Sequence, residues 1–344
     1  MKRKNFLLGA AALAAGCGGG GSNTSLSYRK VALGQGSVLG LDDTGRVYLK
    51  RADGSSVRWQ NGSFETLPID SPQKEIQKVR PDGILLTKGG FFTPDNIYHP
   101  ITLPTVTELG VSTEGRDSFY TRFVDASTPN DFMGEVSFHL TGYGGPTGGI
   151  QTMVFVVRDG VPSLLPENYS RAVQFLSNGH FVATDKFFVL FDSGADRIFG
   201  PNNTLVDHVA NSLNIRLLSL STDLNFAGRI INTQQIATGA PVGYSLEEEP
   251  AQPRSHIEFV THNSRGDLIL NRVSLKEGAT QTDEELYLKL SNGTSTRLKE
   301  FLPELSNSRV GVAVFNARRE FVLQDFTNRS YEEMGDLFLM TPIS

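Results

Sequence analysis

A repeated turn-and-strand element constrains the fold of this chain more than any other feature of its sequence. The element is a polar turn, then a glycine, one variable residue and an apolar strand. The glycine, or the residue in its place, is Gly45, Gly83, Gly134, Gly179, Leu224, Gly266 and Arg319. These positions lie 38 to 53 residues apart, about 46 on average. One four-stranded propeller blade takes roughly 40–50 residues. The sequence therefore predicts a seven-bladed β-propeller, with six or eight blades as alternatives.

A second repeated element is a hairpin with a two-residue turn. The candidate turns are Asn61-Gly62, Asp159-Gly160, Ser193-Gly194 and Asn292-Gly293. Asn-Gly and Asp-Gly favour type I′ turns because both central residues need a positive φ. Apolar residues recur three and five positions before each glycine, with Trp59 at one of them. This alternation is typical of a half-buried strand, so we expect Trp59 to belong to the core.

The two ends of the chain predict how the ring closes. Residues 336–340 (DLFLM) align with residues 285–289 (ELYLK), the third strand of the preceding blade, and the sequence ends one strand short of a complete four-stranded blade. Residues 26–33 (LSYRKVAL) read as a strand without a blade of its own. We expect this N-terminal strand to complete the last blade, because closure protects the edges of the ring.

Several segments together resemble the extracellular His-Ala-Phe repeat family. They are VRWQNGSFETLP, MVFVVRDGVPSLLP, ELYLKLSNGTSTRLKEFLP and the terminal DLFLMTPIS. The His-Ala-Phe tripeptide itself is absent, and Leu-Tyr-Leu, Val-Phe-Val or Leu-Phe-Leu stands in its place. The resemblance implies a β-propeller in a secreted bacterial protein and brings no catalytic residues with it.

Composition supports a single all-β domain over residues 26–344. The chain holds 35 Gly, 22 Phe and 16 Pro, which favours many short strands joined by tight turns. Loss of residues 1–16 would remove three basic residues and no acidic one, changing the formal net charge from −5 to −8. Such an acidic body argues against nucleic-acid binding and against electrostatic docking on anionic lipid.

The N-terminal residues predict where the protein works. Lys2, Arg3 and Lys4 precede a short apolar stretch, which is typical of a secretory signal peptide over residues 1–16. The sequence Ala14-Ala15-Gly16-Cys17 resembles the lipobox of bacterial lipoproteins, although Ala14 replaces the usual Leu. We expect Cys17, the only cysteine, to carry lipid, including palmitate, and residues 17–25 to form a flexible tether. The alternative is an ordinary signal peptide that contains a cysteine.

This N-terminus predicts an extracytoplasmic protein of the bacterial cell envelope, attached to a membrane through lipid. Gly18 follows the cysteine, where Asp would retain a lipoprotein at the inner membrane of enteric-type bacteria. The outer membrane is therefore favoured over the inner one.

Candidate chemical motifs are weak throughout the sequence. The histidines, none in a compact ligand spacing, are His99, His139, His180, His208, His256 and His262. The glycine-rich segment 142–149 lacks the Gly-Lys-Ser/Thr ending of a phosphate-binding loop. Carboxylates in residues 125–131 and 192–196 do not follow the calcium-loop pattern, and residues 247–249 and 283–285 are acidic runs typical of solvated turns. The sequence predicts no catalytic residue, no cofactor-binding residue and no metal ligand.

The favoured function is a lipid-anchored, non-enzymatic binding or scaffold protein, with an envelope protein or a glycan as its partner. The alternative is a propeller hydrolase or carbohydrate-active enzyme with its site at the central channel. Converging carboxylates or histidines at one end of the channel would favour the enzyme. A broad exposed apolar patch would favour the binding protein. A purely structural surface protein would show neither.

Overall fold

The chain forms seven antiparallel sheets, each a separate blade. The computed structural model describes residues 27–141, 149–185, 194–231, 235–246, 255–275, 282–291, 294–307, 309–327 and 334–343. Within these ranges six sheets have four strands and one has three. The predicted all-β fold with seven blades is therefore confirmed.

The strands are as follows. The first strand, β1, is Tyr28–Gln35 and belongs to the last blade. Blade 1 has β2 Ser37–Leu41, β3 Val47–Lys50, β4 Ser56–Gln60 and β5 Ser63–Thr66. Blade 2 has β6 Ile76–Val79, β7 Leu85–Thr87, β8 Gly90–Phe92 and β9 Tyr98–Pro100. Blade 3 has β10 Arg116–Thr128, β11 Asp131–Leu140, β12 Ile150–Arg158 and β13 Val161–Leu164. Blade 4 has β14 Tyr169–Phe175, β15 Phe181–Asp185 and β16 Asp196–Phe199. Blade 5 has β17 Ile215–Leu220, β18 Phe226–Ile230, β19 Ile236–Ala240 and β20 Gly243–Leu246. Blade 6 has β21 Ser255–His262, β22 Leu268–Leu275, β23 Thr282–Lys289 and β24 Ser295–Arg297. Blade 7 has β25 Val310–Phe315, β26 Phe321–Asp325 and β27 Asp336–Pro342, followed in space by β1.

Helices are short and few in the described ranges. The α-helix α1 is Val209–Ser212, and 3₁₀ turns occupy Pro72–Lys74, Leu298–Glu300 and Pro303–Ser306. Within the part of the chain that the structure describes, no helix is long and apolar enough to cross a membrane.

The N-terminal strand closes the ring, as the sequence predicts. Strand β1 pairs with β27 in antiparallel register, from Tyr28 opposite Pro342 to Gln35 opposite Asp336. Each blade also contacts the next around the circle, and blade 7 contacts blade 1 through β25 and β2. The sheet of blade 7 is thus built from both ends of the chain.

The core is divided into seven apolar clusters, one at each junction between neighbouring blades. Between blades 7 and 1, for example, Leu33 and Leu339 pack with Val47 and Trp59. Trp59 is buried, which confirms its predicted place in the core. Other junctions are richer in aromatic rings, such as Phe181 stacked on Phe199 at 4.8 Å between ring centroids. Stability therefore comes from sheet-on-sheet packing around the ring.

The repeated glycine turn joins the first two strands in six blades. Gly45, Gly83, Gly179 and Gly266 have φ between 79° and 89°, and the non-glycine copies Leu224 and Arg319 have φ of 60° and 61°. In each of these turns this residue donates its N–H to the carbonyl three residues earlier, at 2.9–3.1 Å. The degenerate copies are therefore true members of the repeat.

The position predicted for blade 3 is wrong. Gly134 lies inside β11, opposite Phe155 of β12, and the turn of this blade is formed by Pro129 and Asn130. A Cβ at Gly134 would come within 2.4 Å of the Phe155 ring and of the Arg122 carbonyl oxygen. Close packing, rather than a positive φ, requires glycine there.

The predicted two-residue hairpins are confirmed in blades 1 and 3 and misplaced in blade 4. Asn61, Gly62, Asp159 and Gly160 all have positive φ, as type I′ turns require. Gly194 instead precedes β16, which is the third strand of its blade and pairs with β15. Ser193 lies outside the described residues, as do Asn292 and Gly293, although β23 and β24 on either side of that pair form a hairpin.

Candidate functional site: the central channel

Seven first strands line a central channel, and each bulges at the same place. The strands β2, β6, β10, β14, β17, β21 and β25 each skip one residue in their pairing with the second strand. The skipped residues are Leu39, Gln77, Val124, Val173, Leu218, Val260 and Ala313. A bulge bends the strand and redirects its side chains. The channel wall is therefore built from a sevenfold irregularity that the sequence repeats did not reveal.

The turns between first and second strands form a hydrogen-bonded rim at one end of this channel. Within a turn, the side chain of its first residue accepts backbone N–H groups, as Asn316 does from Arg318 and Glu320 at 3.0 Å. Between turns, Asn316 Nδ2 donates to the carbonyl of Asp42 at 2.9 Å, and Ala317 N–H donates to Asp43 at 2.8 Å. The rim thus also joins blade 7 to blade 1.

A cavity of about 980 Å³ opens at this rim. Its walls come from the turns and first strands of blades 1, 2, 4, 5, 6 and 7. Polar side chains that reach it include Lys78, Gln174, Asp223, His262 and Arg265. The volume lies in the range of small-ligand sites.

Three buried carboxylates hold neighbouring blades together beside the channel. Asp125 of blade 3 accepts the N–H of Phe175 at 3.1 Å, and Glu135 of blade 3 accepts the N–H of Ala172 at 2.8 Å. Asp196 of blade 4 accepts the N–H of Leu217 in blade 5 at 2.7 Å. Each carboxylate therefore satisfies a backbone donor of the next blade's first strand, which would otherwise be buried without a partner.

Arginines balance these carboxylates. Arg80 contacts Asp125 at 3.4 Å and Asp82 at 2.8 Å, and Arg122 contacts Glu135 at 2.6 Å. Burial raises the pKa of Asp196, while the hydroxyl of Thr184 at 2.5 Å, the Leu217 N–H and nearby arginines act in the opposite direction. Asp125, Glu135 and Asp196 are thus committed to structural bonds.

His262 stands out because the equivalent position is apolar in the other six blades. Leu41, Val79, Phe175, Leu220 and Phe315 immediately precede their turns in the same way. In blade 3, Ala126 stands at the same distance from the bulge. The His262 ring is exposed to the cavity, 5.8 Å from Phe259, and has no hydrogen bond within the described residues. Neighbouring protein and the charge of Lys78 both act to lower the pKa of His262 below its usual 6.5. The ring can accept a hydrogen bond from a ligand in the cavity.

The other histidines are dispersed. His99 stacks on Phe91 in blade 2, His139 is exposed on β11, and His208 caps α1. His180 follows its turn glycine, and burial and Arg158 lower its pKa. The side chain of His256 lies outside the described residues. Within the ranges that the structure covers, no three His, Cys, Asp or Glu residues converge as metal ligands would.

The remaining motifs from the sequence fall on either structural or undescribed residues. Asp131 accepts the Thr128 hydroxyl at 2.7 Å and the Asp159 N–H at 3.0 Å, so it stabilises turns of blade 3. Glu285 pairs with Arg297 at 3.1 Å. The signal peptide, Cys17, the tether, residues 142–148, Asp192, residues 247–250 and the side chain of Asp283 lie outside the described residues.

Exposed apolar side chains gather on the outer hairpin of blade 5. Val242 is 96% exposed, and Tyr244 and Leu246 on β20 are 45% and 42% exposed. Leu205 of blade 4 is also exposed, and the following Val209 donates its N–H to the carbonyl of Pro241, beside Val242, at 2.8 Å. This apolar group lies on the outer edge of the propeller and not at the channel.

Comparison with known proteins adds little beyond the fold. No protein-family model and no curated protein matches the sequence, so membership of the His-Ala-Phe repeat family remains a prediction. The β-propeller domain of Cps50 (Swd1) from Myceliophteria thermophila is 12% identical, with a TM-score of 0.47 over 92% of this chain and 99% of that chain.

Two further structures are similar at the same level. YCF48 bound to a D1 peptide is 11% identical, with a TM-score of 0.43 over 92% and 97% of the two chains. The virginiamycin B lyase from Staphylococcus aureus is 13% identical, with a TM-score of 0.36 over 92% and 100%. At these values the similarity carries no information on ligands or activity. The chain is a seven-bladed β-propeller by its own strand pairing.

Proposed function

We propose that the protein is a lipid-anchored, extracytoplasmic binding or scaffold protein of the bacterial cell envelope, with a protein or glycan partner. A non-enzymatic role is supported by one observation, namely that carboxylates at the channel make structural bonds. Glycoside cleavage by the usual mechanisms needs two available carboxyl groups about 5–9 Å apart. Three described carboxylates line the cavity, and two of them, Asp43 and Asp82, are bonded to Ala317 and Arg80. Asp223 has no such bond among the described residues, so one carboxyl group is available there but no free pair.

The location is supported by the N-terminal sequence and by the place of β1. The predicted tether, residues 17–25, runs within three residues into the strand that closes blade 7. An anchor at Cys17 would thus suspend the ring from its last blade. Two acyl chains or more give stable attachment, whereas one is marginal.

The anchor is tested by Cys17→Ser in the full chain. The variant should move from the membrane fraction to the soluble fraction of the envelope, because no other attachment is proposed. A variant that changes a neighbouring tether residue, Ser22→Ala, should stay with the membrane. Retention of Cys17→Ser in the membrane fraction would contradict lipid anchoring.

The binding role is tested by photo-crosslinking in cells. A crosslinking residue at Val242, on the exposed hairpin of blade 5, should capture a defined partner that mass spectrometry identifies. A crosslinking residue at the buried Val47 is the matched control and should capture none. Failure to capture a partner from Val242, and from the exposed Tyr120 of blade 3, would count against the binding role.

A hydrolytic function is the second candidate, and one observation favours it. His262 is exposed to a ligand-sized cavity and has no hydrogen bond in the described ranges. Such a ring can serve as a general base if a substrate brings a proton within hydrogen-bond distance. His262→Gln should abolish any hydrolysis found by substrate screening, and unchanged activity would remove this candidate.

A further inference from the structure

Three consecutive blades carry an arginine at the same level of the channel wall. Arg122, Arg171 and Arg216 each stand two residues before the bulge of their first strand. The other four blades have Ser37, Glu75, Glu258 and Gly311 at this position. The arginines therefore form an arc over blades 3, 4 and 5, which we call the arginine arc.

The residues of the arc are linked through the blade junctions. Arg122 contacts Glu135, and Glu135 accepts the N–H of Ala172, next to Arg171. Asp196 accepts the N–H of Leu217, next to Arg216, and both Arg171 and Arg216 act electrostatically on Asp196. Bonds across the two blade junctions, together with the charge interaction of Arg171 with Asp196, thus connect the three positions.

Arg122 and Arg171 are exposed and Arg216 is half-buried, whereas the carboxylates beside them are buried. The side chain of Arg122 is 53% exposed, against 4% for Glu135. The side chain of Arg216 is 26% exposed, against 4% for Asp196. A solute at this level of the channel therefore meets the guanidinium groups of Arg122 and Arg171, while that of Arg216 turns toward blade 4 and donates to the Thr184 hydroxyl at 3.3 Å. The carboxylates of Glu135 and Asp196 accept backbone N–H groups.

Arg171 gives the arc an excess positive charge. It is exposed and makes no hydrogen bond or ion pair with any described residue. Both Arg171 and Arg216 act electrostatically on the buried carboxylate of Asp196. On the same level, Glu75 is bound by Lys50 at 3.7 Å and Lys88 at 2.6 Å, and Glu258 contacts Asn271 at 3.5 Å.

We propose that the arginine arc binds an oxyanion group, carboxylate or phosphate, of a ligand that enters the channel. Arg171 is the principal contact, and Arg122 and Arg216 flank it. The planar guanidinium fork matches both oxyanions with two parallel hydrogen bonds. A channel with protein walls concentrates the field of such cations although the whole chain is acidic, with a net charge of −5. This site is independent of the proposed anchor and partner.

Calorimetric titration of the full chain tests the site. Inorganic phosphate and glutarate are the two probes, each at constant ionic strength with sodium chloride as the reference salt. At least one probe should bind saturably, and Arg171→Gln should weaken that binding about tenfold or more, since a charge-assisted pair is lost. Arg171→Lys should fall between, because it keeps the charge and loses the fork.

Arg29→Gln is the matched control. Arg29 is an equally exposed arginine on β1, in the outermost strand of blade 7, and its replacement should leave both titrations unchanged. The melting temperature of Arg171→Gln should equal that of the parent, because its side chain holds no described residue in place.

Tighter binding of phosphate identifies a phosphoryl ligand, and tighter binding of glutarate identifies a carboxylate ligand. Absence of saturable binding by either probe, or equal affinity in Arg171→Gln, would overturn the proposal.

Discussion

Asn211 replaces part of a missing strand with a single side chain. Blade 4 has no fourth strand within the described ranges, and the outer edge of β16 is only partly covered, by the bridge from Phe199 to Leu205 and the bond from Val206 N–H to the Ile198 carbonyl at 3.2 Å. The side-chain amide of Asn211 forms hydrogen bonds along that edge. Its Oδ1 accepts the N–H of Ile198 at 2.7 Å, and its Nδ2 donates to the carbonyls of Ile198 and Val206 at 2.9 Å. A side-chain amide presents one donor group and one acceptor, as a strand's peptide does.

Asn211→Ala should therefore destabilise the fold strongly. Ile198 is fully buried, so the substitution leaves its N–H without an acceptor, while its carbonyl keeps the bond from the Val206 N–H. The expected loss in the free energy of unfolding is about 1–3 kcal/mol. Urea denaturation measures it, and Asn168→Ala, at an exposed asparagine, should change the midpoint little. A small effect of Asn211→Ala would show that other groups of this segment protect the edge.

His208 makes the same region sensitive to acid. Its Nδ1 accepts the N–H of Ala210 at 3.0 Å, and its Nε2 donates to the carbonyl of Leu224 at 2.8 Å, joining blades 4 and 5. Burial is the main cause that lowers the pKa of His208. The unfolded chain takes up this proton near pH 6.5, and the folded chain only at lower pH. Stability from His208 is therefore complete above pH 6.5 and is lost as the pH falls toward the folded pKa.

Urea midpoints at pH 7.5 and 5.5 test this pH dependence. His208→Gln cannot titrate, so its midpoint should fall less between the two pH values than that of the parent. His99→Gln, at a histidine of an outer strand, should keep the parental difference. An identical pH difference in His208→Gln and the parent would assign the acid sensitivity to other groups, with His180 and His262 as the next candidates because their pKa values are also lowered.

The repeated turn allows backbone strain to be measured without side-chain clashes. A Cβ on Gly266 would meet nothing closer than 3.7 Å, but its φ is +79°. Gly266→Ala should thus cost about 1–2 kcal/mol through the backbone alone. Arg319 already occupies the left-handed region, so Arg319→Gly should gain up to about 1 kcal/mol. Chemical denaturation measures both changes.

Gly243→Ala is the control for these turn variants. Gly243 begins β20, has open space around it and does not have a positive φ. Its replacement should shift the free energy of unfolding by under about 0.5 kcal/mol. If Gly266→Ala behaves like Gly243→Ala, the turn of blade 6 tolerates a side chain and the repeat does not depend on glycine there.

The elements also show what could be predicted from the sequence. Turns with a positive φ have a characteristic local sequence, so Gly45 or Gly62 could be recognised from a few neighbouring residues. Gly134 and Gly194 are glycines for a different reason. Gly134 makes room for Phe155, and a Cβ on Gly194 would meet the backbone of Asp185. Contacts of this kind involve residues on other strands, so local spacing could not separate them from turns.

The channel site was harder to predict from the sequence than the fold. The arginine arc depends on register with respect to the bulges, and Arg122, Arg171 and Arg216 are 49 and 45 residues apart. Alignment on the turns would have found it only with the correct turn in blade 3. The structural role of Asp125 likewise appears only when blade 4 supplies the N–H of Phe175.

At the scale of the whole molecule, stability depends on keeping the ring closed. The clasp β1 contributes Leu33, which is 1% exposed, to the cluster between blades 7 and 1. Its Tyr28 ring lies 6.0 Å from Phe301 and 5.8 Å from Phe321, in the cluster between blades 6 and 7. One eight-residue strand thus reinforces both junctions of the last blade.

Leu33→Asp should therefore open the ring at its clasp. A carboxylate would be buried among Val47, Leu337 and Leu339, with a loss of at least about 3 kcal/mol from the missing leucine and the unpaired charge. Ala32→Asp is the matched control, because Ala32 is the preceding residue of the same strand and is exposed. Thermal unfolding should give a much lower melting temperature for Leu33→Asp and for deletion of residues 26–33, and a nearly parental one for Ala32→Asp. Hydrogen exchange should then show loss of protection first in β27, which would have lost its partner, and later in blades 3 and 4. Equal melting temperatures for Leu33→Asp and Ala32→Asp would mean that the rim contacts of Asn316 and Ala317 close the ring without the clasp.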